Sequence, residues 1–83
     1  LTLVGGDPGI GKSTLLLQLS HFLAKQGLVV LYVCGEESVE QTSLRAQRLG
    51  IQNDNLLLLC ETNFSLIKNH IDQINPNVLI VDS

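Results

Sequence analysis

At 83 residues the chain sits at the lower edge of domain size, where a single core barely offsets chain entropy. It is nonetheless 45% hydrophobic and 16% charged, with mean hydropathy +0.28, the composition of a well-buried piece. The net charge is −3 and the five basic residues (Lys12, Lys25, Arg45, Arg48 and Lys68) form no basic run, so the composition gives no support for nucleic-acid binding by these residues, and no run reaches the ~18 apolar residues of a membrane-spanning helix.

In chain order, residues 1–4 form a short apolar run that enters a turn at Gly5-Gly6, the pattern of a strand. Over residues 12–26 the spacing predicts a helix with Leu15, Leu16, Leu19, Phe22 and Leu23 on one stripe and Gly27 as its left-handed terminator. Residues 28–33 are an uninterrupted apolar run, suited to a parallel strand covered on both faces. Ser38 and Gln41 have capping-box spacing and open a second helix, with Val39, Thr42, Ala46 and Leu49 on one face, Arg45 and Arg48 toward its negative end, and Gly50 after it. A third strand over residues 56–60 precedes a helical stripe of Phe64, Ile67, Ile71 and Ile74, which Asn75-Pro76-Asn77 breaks. Residues 78–81 form a fourth strand ending at Asp82. Alternating strands and helices with short connections predict an α/β fold with a parallel sheet flanked by helices. Both ends of the chain lie inside apolar runs, so residues 1–83 are expected to be a segment of a larger protein. Cys34 and Cys60 are far apart and form no metal-ligand spacing, and they read as reduced buried thiols of a cytosolic protein.

Gly6-Asp7-Pro8-Gly9-Ile10-Gly11-Lys12-Ser13 fits G-x-x-x-x-G-K-[ST] at every fixed position, between a predicted strand and a predicted helix. A triphosphate needs many donors and no obstructing side chains, so glycines let backbone N–H groups approach its oxygens. The helix start adds unpaired N–H groups and a favourable dipole. Lys12 is placed to bridge the β- and γ-phosphates, and the Ser13 hydroxyl is a hard ligand for Mg2+. Such a match arises by chance about once in several hundred chains of this size. A nucleoside triphosphate, most naturally ATP with Mg2+, is therefore the expected ligand.

Ligands of open parallel sheets bind beyond the carboxyl ends of the strands. Asp82 ends an apolar strand there, as expected of an aspartate that orients magnesium through a water. Glu36 and Glu37 follow the second strand, and either could polarise a water attacking the γ-phosphate, while the other favours the next helix electrostatically. Arg45, Arg48, His21 and His70 read as solvated, and Asp7 as pointing away from the phosphates.

The run from Gly5 through Thr14 to Leu16 resembles the phosphate loop of the bacterial RadA (Sms) family of DNA repair proteins. Tyr32-Val33-Cys34-Gly35-Glu36-Glu37-Ser38 is similar to that family's Y-V-S-G-E-E-S, with cysteine where serine is common. Leu44-Arg45-Ala46-Gln47-Arg48-Leu49-Gly50 resembles its L-R-A-x-R-L-G, and Val81-Asp82-Ser83 its magnesium-binding strand end. The resemblance spans the whole chain and implies the N-terminal part of a RecA-like ATPase core. It assigns the water-activating role to Glu36, and phosphate contacts to residues 6–14, Thr14 included. It further implies a cytoplasmic, homo-hexameric, DNA-dependent ATPase that drives branch migration of single-stranded or branched DNA in recombinational repair, with a recombinase as a further partner. Zinc would belong only to a four-cysteine module outside these residues, as would the K-N-R-F-G motif and a Lon-like domain. Because each site of such a ring is completed by a neighbouring subunit, the isolated segment is expected to be inactive. Two other classes share the loop: a KaiC-like regulatory ATPase, which also carries a Glu-Glu pair, and a small-molecule kinase. G-E-E-S together with L-R-A-x-R-L-G favours the first reading over both.

Overall fold

The computed structural model describes residues 2–6 and 11–82, with Val4, Gly5 and Gly6 described by their backbone. Its elements run β1 (Thr2–Gly6), α1 (Lys12–Lys25), β2 (Val30–Cys34), α2 (Val39–Arg48), β3 (Leu56–Cys60), α3 (Phe64–Ile74) and β4 (Val78–Asp82). The four strands form one parallel sheet in the order β1-β4-β2-β3, so the last strand lies between the first two. This is the α/β architecture expected of a phosphate-loop, RecA-like core.

Side chains alternate across the sheet. Val30, Tyr32 and Cys34 of β2, with Val78 and Ile80 of β4, share one face with Leu16, Leu17 and Ala24 of α1 and Ala46 of α2. Leu31, Val33 and Leu79 point to the other face, where Ile67, Ile71 and Ile74 of α3 cover them. The result is three layers, helices α1 and α2 on one side and α3 on the other. All five residues of β2 are buried, as its unbroken apolar run requires.

The helix ends follow local chemistry. Ser38 caps α2 by accepting the Gln41 N–H at 3.2 Å, and Asn63 caps α3 by accepting the Leu66 N–H at 3.2 Å. Gly27 follows α1 at φ 92°, the left-handed conformation that glycine adopts without a Cβ penalty. At the amino end of the sheet Asn77 ties three strands together. Its side chain accepts the Val29 N–H at 2.9 Å, its N–H donates to Val29 O at 2.8 Å, and its carbonyl accepts the Thr2 N–H at 2.9 Å.

Four expectations are corrected. The buried face of α1 is Leu16, Leu17, Ser20 and Ala24, whereas Leu15, Leu19 and Phe22 are exposed. This helix carries apolar residues on several faces, so periodicity alone could not phase it, and packing on the sheet chose the face with the small residues Ser20 and Ala24. The buried Ser20 hydroxyl is satisfied by donating to Leu16 O at 2.7 Å. On α2 only Thr42 and Ala46 of the expected face are buried, and Phe64 of α3 is exposed. Lastly, Cys34 and Cys60 are not separate thiols. Parallel pairing places them in register on β2 and β3, Cα atoms 4.7 Å apart, and they are joined as a disulfide. The Thr42 hydroxyl lies 3.4 Å from Cys34 Sγ and donates toward it.

Leu17 is fully buried between α1 and the sheet. Leu17→Ala is expected to destabilise the domain by about 3 kcal/mol, read as a lowered denaturation midpoint of the full-length protein.

Candidate functional site

The strand order collects the candidate residues at one edge. β4 is flanked in register on both sides at its carboxyl end, with Gly6 of β1 opposite Asp82 and Cys34 of β2 opposite Asp82 from the other side. The carboxyl ends of β1, β2 and β4 therefore lie side by side at one edge of the sheet, where open parallel sheets bind ligands. Asp7, Pro8, Gly9 and Ile10 lie outside the described residues, and Gly6 is described by its backbone alone.

α1 begins at Lys12, preceded by Gly11 at φ 79°. A residue with a Cβ would be strained there, which explains glycine at this fixed position of the motif. Among the described residues no side chain caps this helix, and its first turn carries no acidic residue. A helix start of this kind has amino-terminal N–H groups and a dipole that favour an anion. The contrast with α2 and α3, both capped by side chains, is local and follows from the sequence: Gly11 has nothing to cap with, whereas Ser38 and Asn63 do. Lys12, Ser13 and Thr14, on the first turn, are half-buried.

Ser13 reaches across to β4. Its hydroxyl donates to Asp82 Oδ2 at 2.6 Å. The same carboxylate oxygen accepts the Tyr32 hydroxyl at 2.7 Å. Tyr32 is 1% exposed at the middle of β2, and its ring lies on the face shared with α1. Burial, then the hydrogen bond to Asp82 and that residue's charge, push the phenol far above its ordinary pKa, which keeps it a neutral donor. A hydroxyl and a carboxylate 2.6 Å apart, with the half-buried carboxylate oriented by a second donor, form the hard-oxygen set that Mg2+ prefers. The donors fit that ion. No cluster of three or more His, Cys, Asp or Glu side chains exists among the described residues.

The two glutamates after β2 are in different circumstances. Glu37 accepts both guanidinium nitrogens of Arg45, at 2.5 and 2.7 Å, in a two-pronged pair. Arg45 is two turns along α2, and helical side chains lean toward the amino terminus, which lets it reach back. Arg45 is therefore not the solvated residue that its position suggested, and Glu37 is engaged by a side chain rather than only by the helix dipole. Glu36 is exposed and makes no hydrogen bond or ion pair among the described residues. Among the described residues, then, Glu37 is tied to an arginine and Glu36 is not.

Tyr32 and Arg45 were the residues that sequence reasoning missed. Tyr32 reads as one more strand residue inside an apolar run. The signal that could have found it is spacing, since a strand residue two before Cys34 shares its face, and Cys34 is level with Asp82.

A family model for the AAA domain matches residues 1–83, the whole chain. The chain belongs to the AAA domain family. This AAA domain is 64% identical over all 83 residues to the DNA repair protein RadA of Chlamydia muridarum, 63% to that of Chlamydia trachomatis and 57% to that of Bacillus subtilis. In each case the chain is covered completely and corresponds to 18% of the relative's length. No helix among the described residues of the AAA domain is long and apolar enough to cross a membrane.

The Arg45–Glu37 pair is about one-third exposed at each side chain. Arg45→Met is expected to cost about 1 kcal/mol at low ionic strength. The difference should shrink in ~1 M salt, where charges are screened within about 3 Å, as measured by paired denaturant titrations.

Proposed function

We propose that this AAA domain binds and hydrolyses ATP with Mg2+, and that the full-length protein uses the hydrolysis to drive DNA strand processing in recombinational repair. The observation that carries the reading is the contact at the carboxyl edge of a parallel sheet between Ser13, the last residue of the phosphate-loop sequence, and Asp82. Residues 6–14 would hold the phosphates, with backbone N–H groups and Lys12 as donors. Ser13 and Asp82 would hold Mg2+, the latter through a water, and the bound ion would neutralise charge on the β- and γ-phosphates. Glu36 would take a proton from the attacking water, a role suited to the glutamate that is not tied to an arginine.

The domain is read as the N-terminal part of a RecA-like core within a longer protein, which the length of its relatives supports. DNA as partner, a homo-hexameric ring, a recombinase partner and a cytoplasmic setting rest on the likeness to RadA proteins. The composition of these residues offers no basic surface of its own. Neither a KaiC-like switch nor a small-molecule kinase is favoured by any contact at the site.

The test is turnover by the full-length protein with and without single-stranded DNA. Lys12→Ala is expected to lower ATP hydrolysis on the order of 10²-fold or more and to weaken triphosphate binding; unchanged turnover would remove the loop from the reading. Glu36→Gln is expected to retain ATP binding and lose about 10²–10³-fold in turnover, while Glu37→Gln retains most of it. The reverse pattern would transfer the role to Glu37. Hydrolysis that does not respond to DNA would favour a regulatory ATPase over a DNA motor.

A further inference from the structure

We infer that Tyr32 is a positioning residue for the metal site, its hydroxyl orienting the Asp82 carboxylate that the proposed function assigns to Mg2+. The inference rests on that reading and goes beyond it by naming a residue outside the phosphate loop and the strand-end acids.

A carboxylate at the end of a strand can rotate about its last bond, and one hydrogen bond does not stop it. Asp82 Oδ2 has two donors, Ser13 Oγ at 2.6 Å and Tyr32 Oη at 2.7 Å, approaching from different elements. The two donors differ in kind. Ser13 stands on the first turn of α1, next to the phosphate-loop residues, and the proposed function gives its oxygen a second task at the cation. Tyr32 has no such task. Its ring is 1% exposed in the core cluster that includes Leu16, Leu17 and Ile80, on a strand paired on both sides, by β3 and β4. The position of its hydroxyl is therefore set by the sheet. Both donors fall on Oδ2, so a metal-bound water, where the proposed function places one, would meet the carboxylate at its other oxygen.

Partners that orient a metal ligand through a hydrogen bond typically change metal affinity by 10–100-fold. A phenol that merely fills the core would alter stability and leave metal affinity alone, so the two roles separate by measurement.

The experiment uses the full-length protein and Tyr32→Phe, which keeps the ring and deletes the donor. Mn2+ binding in the presence of ATP is followed by electron paramagnetic resonance, and the Mg2+ dependence of turnover is recorded beside it. The expected result is about a 10-fold rise in both the Mn2+ dissociation constant and the Mg2+ concentration for half-maximal rate. The rate at saturating Mg2+ and metal-free ATP binding stay within about twofold. In an Asp82→Asn background the Tyr32→Phe change should have no further effect on Mn2+ binding, because the tyrosine acts through that carboxylate. p-Methylphenylalanine at position 32, which fills the volume of the hydroxyl without donating, serves the same test if phenylalanine compromises folding. p-Aminophenylalanine, which restores a donor on the same ring, should recover the wild-type affinity. Metal affinities within twofold of wild type in the folded donor-less variants would overturn the inference. Wild-type protein that binds no Mn2+ with ATP would instead overturn the proposed function itself.

Discussion

β4 lies between β1 and β2, so Asp82 is flanked in register by Gly6 on one side and Cys34 on the other. The other features of the carboxyl edge depend on this placement. A sheet in chain order would separate Asp82 from the start of α1 by two further strands, and strands are about 4.8 Å apart. With β4 inserted, the first turn of α1 comes within hydrogen-bond reach of the strand end, and Ser13 donates to Asp82. The same insertion brings the turn carrying Glu36 and Glu37 to the neighbouring position.

Burial turns that proximity into a defined geometry. β2 is covered on both faces and paired on both edges, so Tyr32 presents its hydroxyl from a fixed origin. The phenol is held neutral by desolvation and by the adjacent carboxylate, and donates rather than repels. On the next turn the charges are sorted by a different device: Arg45 occupies Glu37 with two hydrogen bonds and leaves Glu36 exposed. Two chemically identical side chains thus differ in availability because one lies within reach of α2 and the other does not.

The layered core explains which sequence patterns were legible. The strand runs over residues 56–60 and 78–81 and the α3 stripe of Ile67, Ile71 and Ile74 read correctly because a single periodicity described each. The caps at Ser38 and Asn63 are local chemistry, although only Ser38 was foreseen. α1 was the failure. Leu15, Leu16, Leu17 and Leu19 place apolar surface on more than one side, and only contact with the sheet selects the face of Leu16, Leu17, Ser20 and Ala24. The cysteines failed for a related reason. A separation of 26 residues says nothing about distance until β2 and β3 are known to pair in register.

What the sequence determined by itself was chemistry carried on contiguous residues: the phosphate-loop pattern, the uncapped helix start after Gly11, the acidic strand end at Asp82 and the glutamate pair. These are legible because each motif's geometry is set by neighbours in the chain. The tertiary structure alone decided which of these residues meet. Strand order brought Ser13 to Asp82, register put the Tyr32 hydroxyl on the same oxygen, and a side chain two helical turns away distinguished Glu37 from Glu36. Contacts across 50 and 69 residues depend on how strands are ordered, and no local spacing encodes that order.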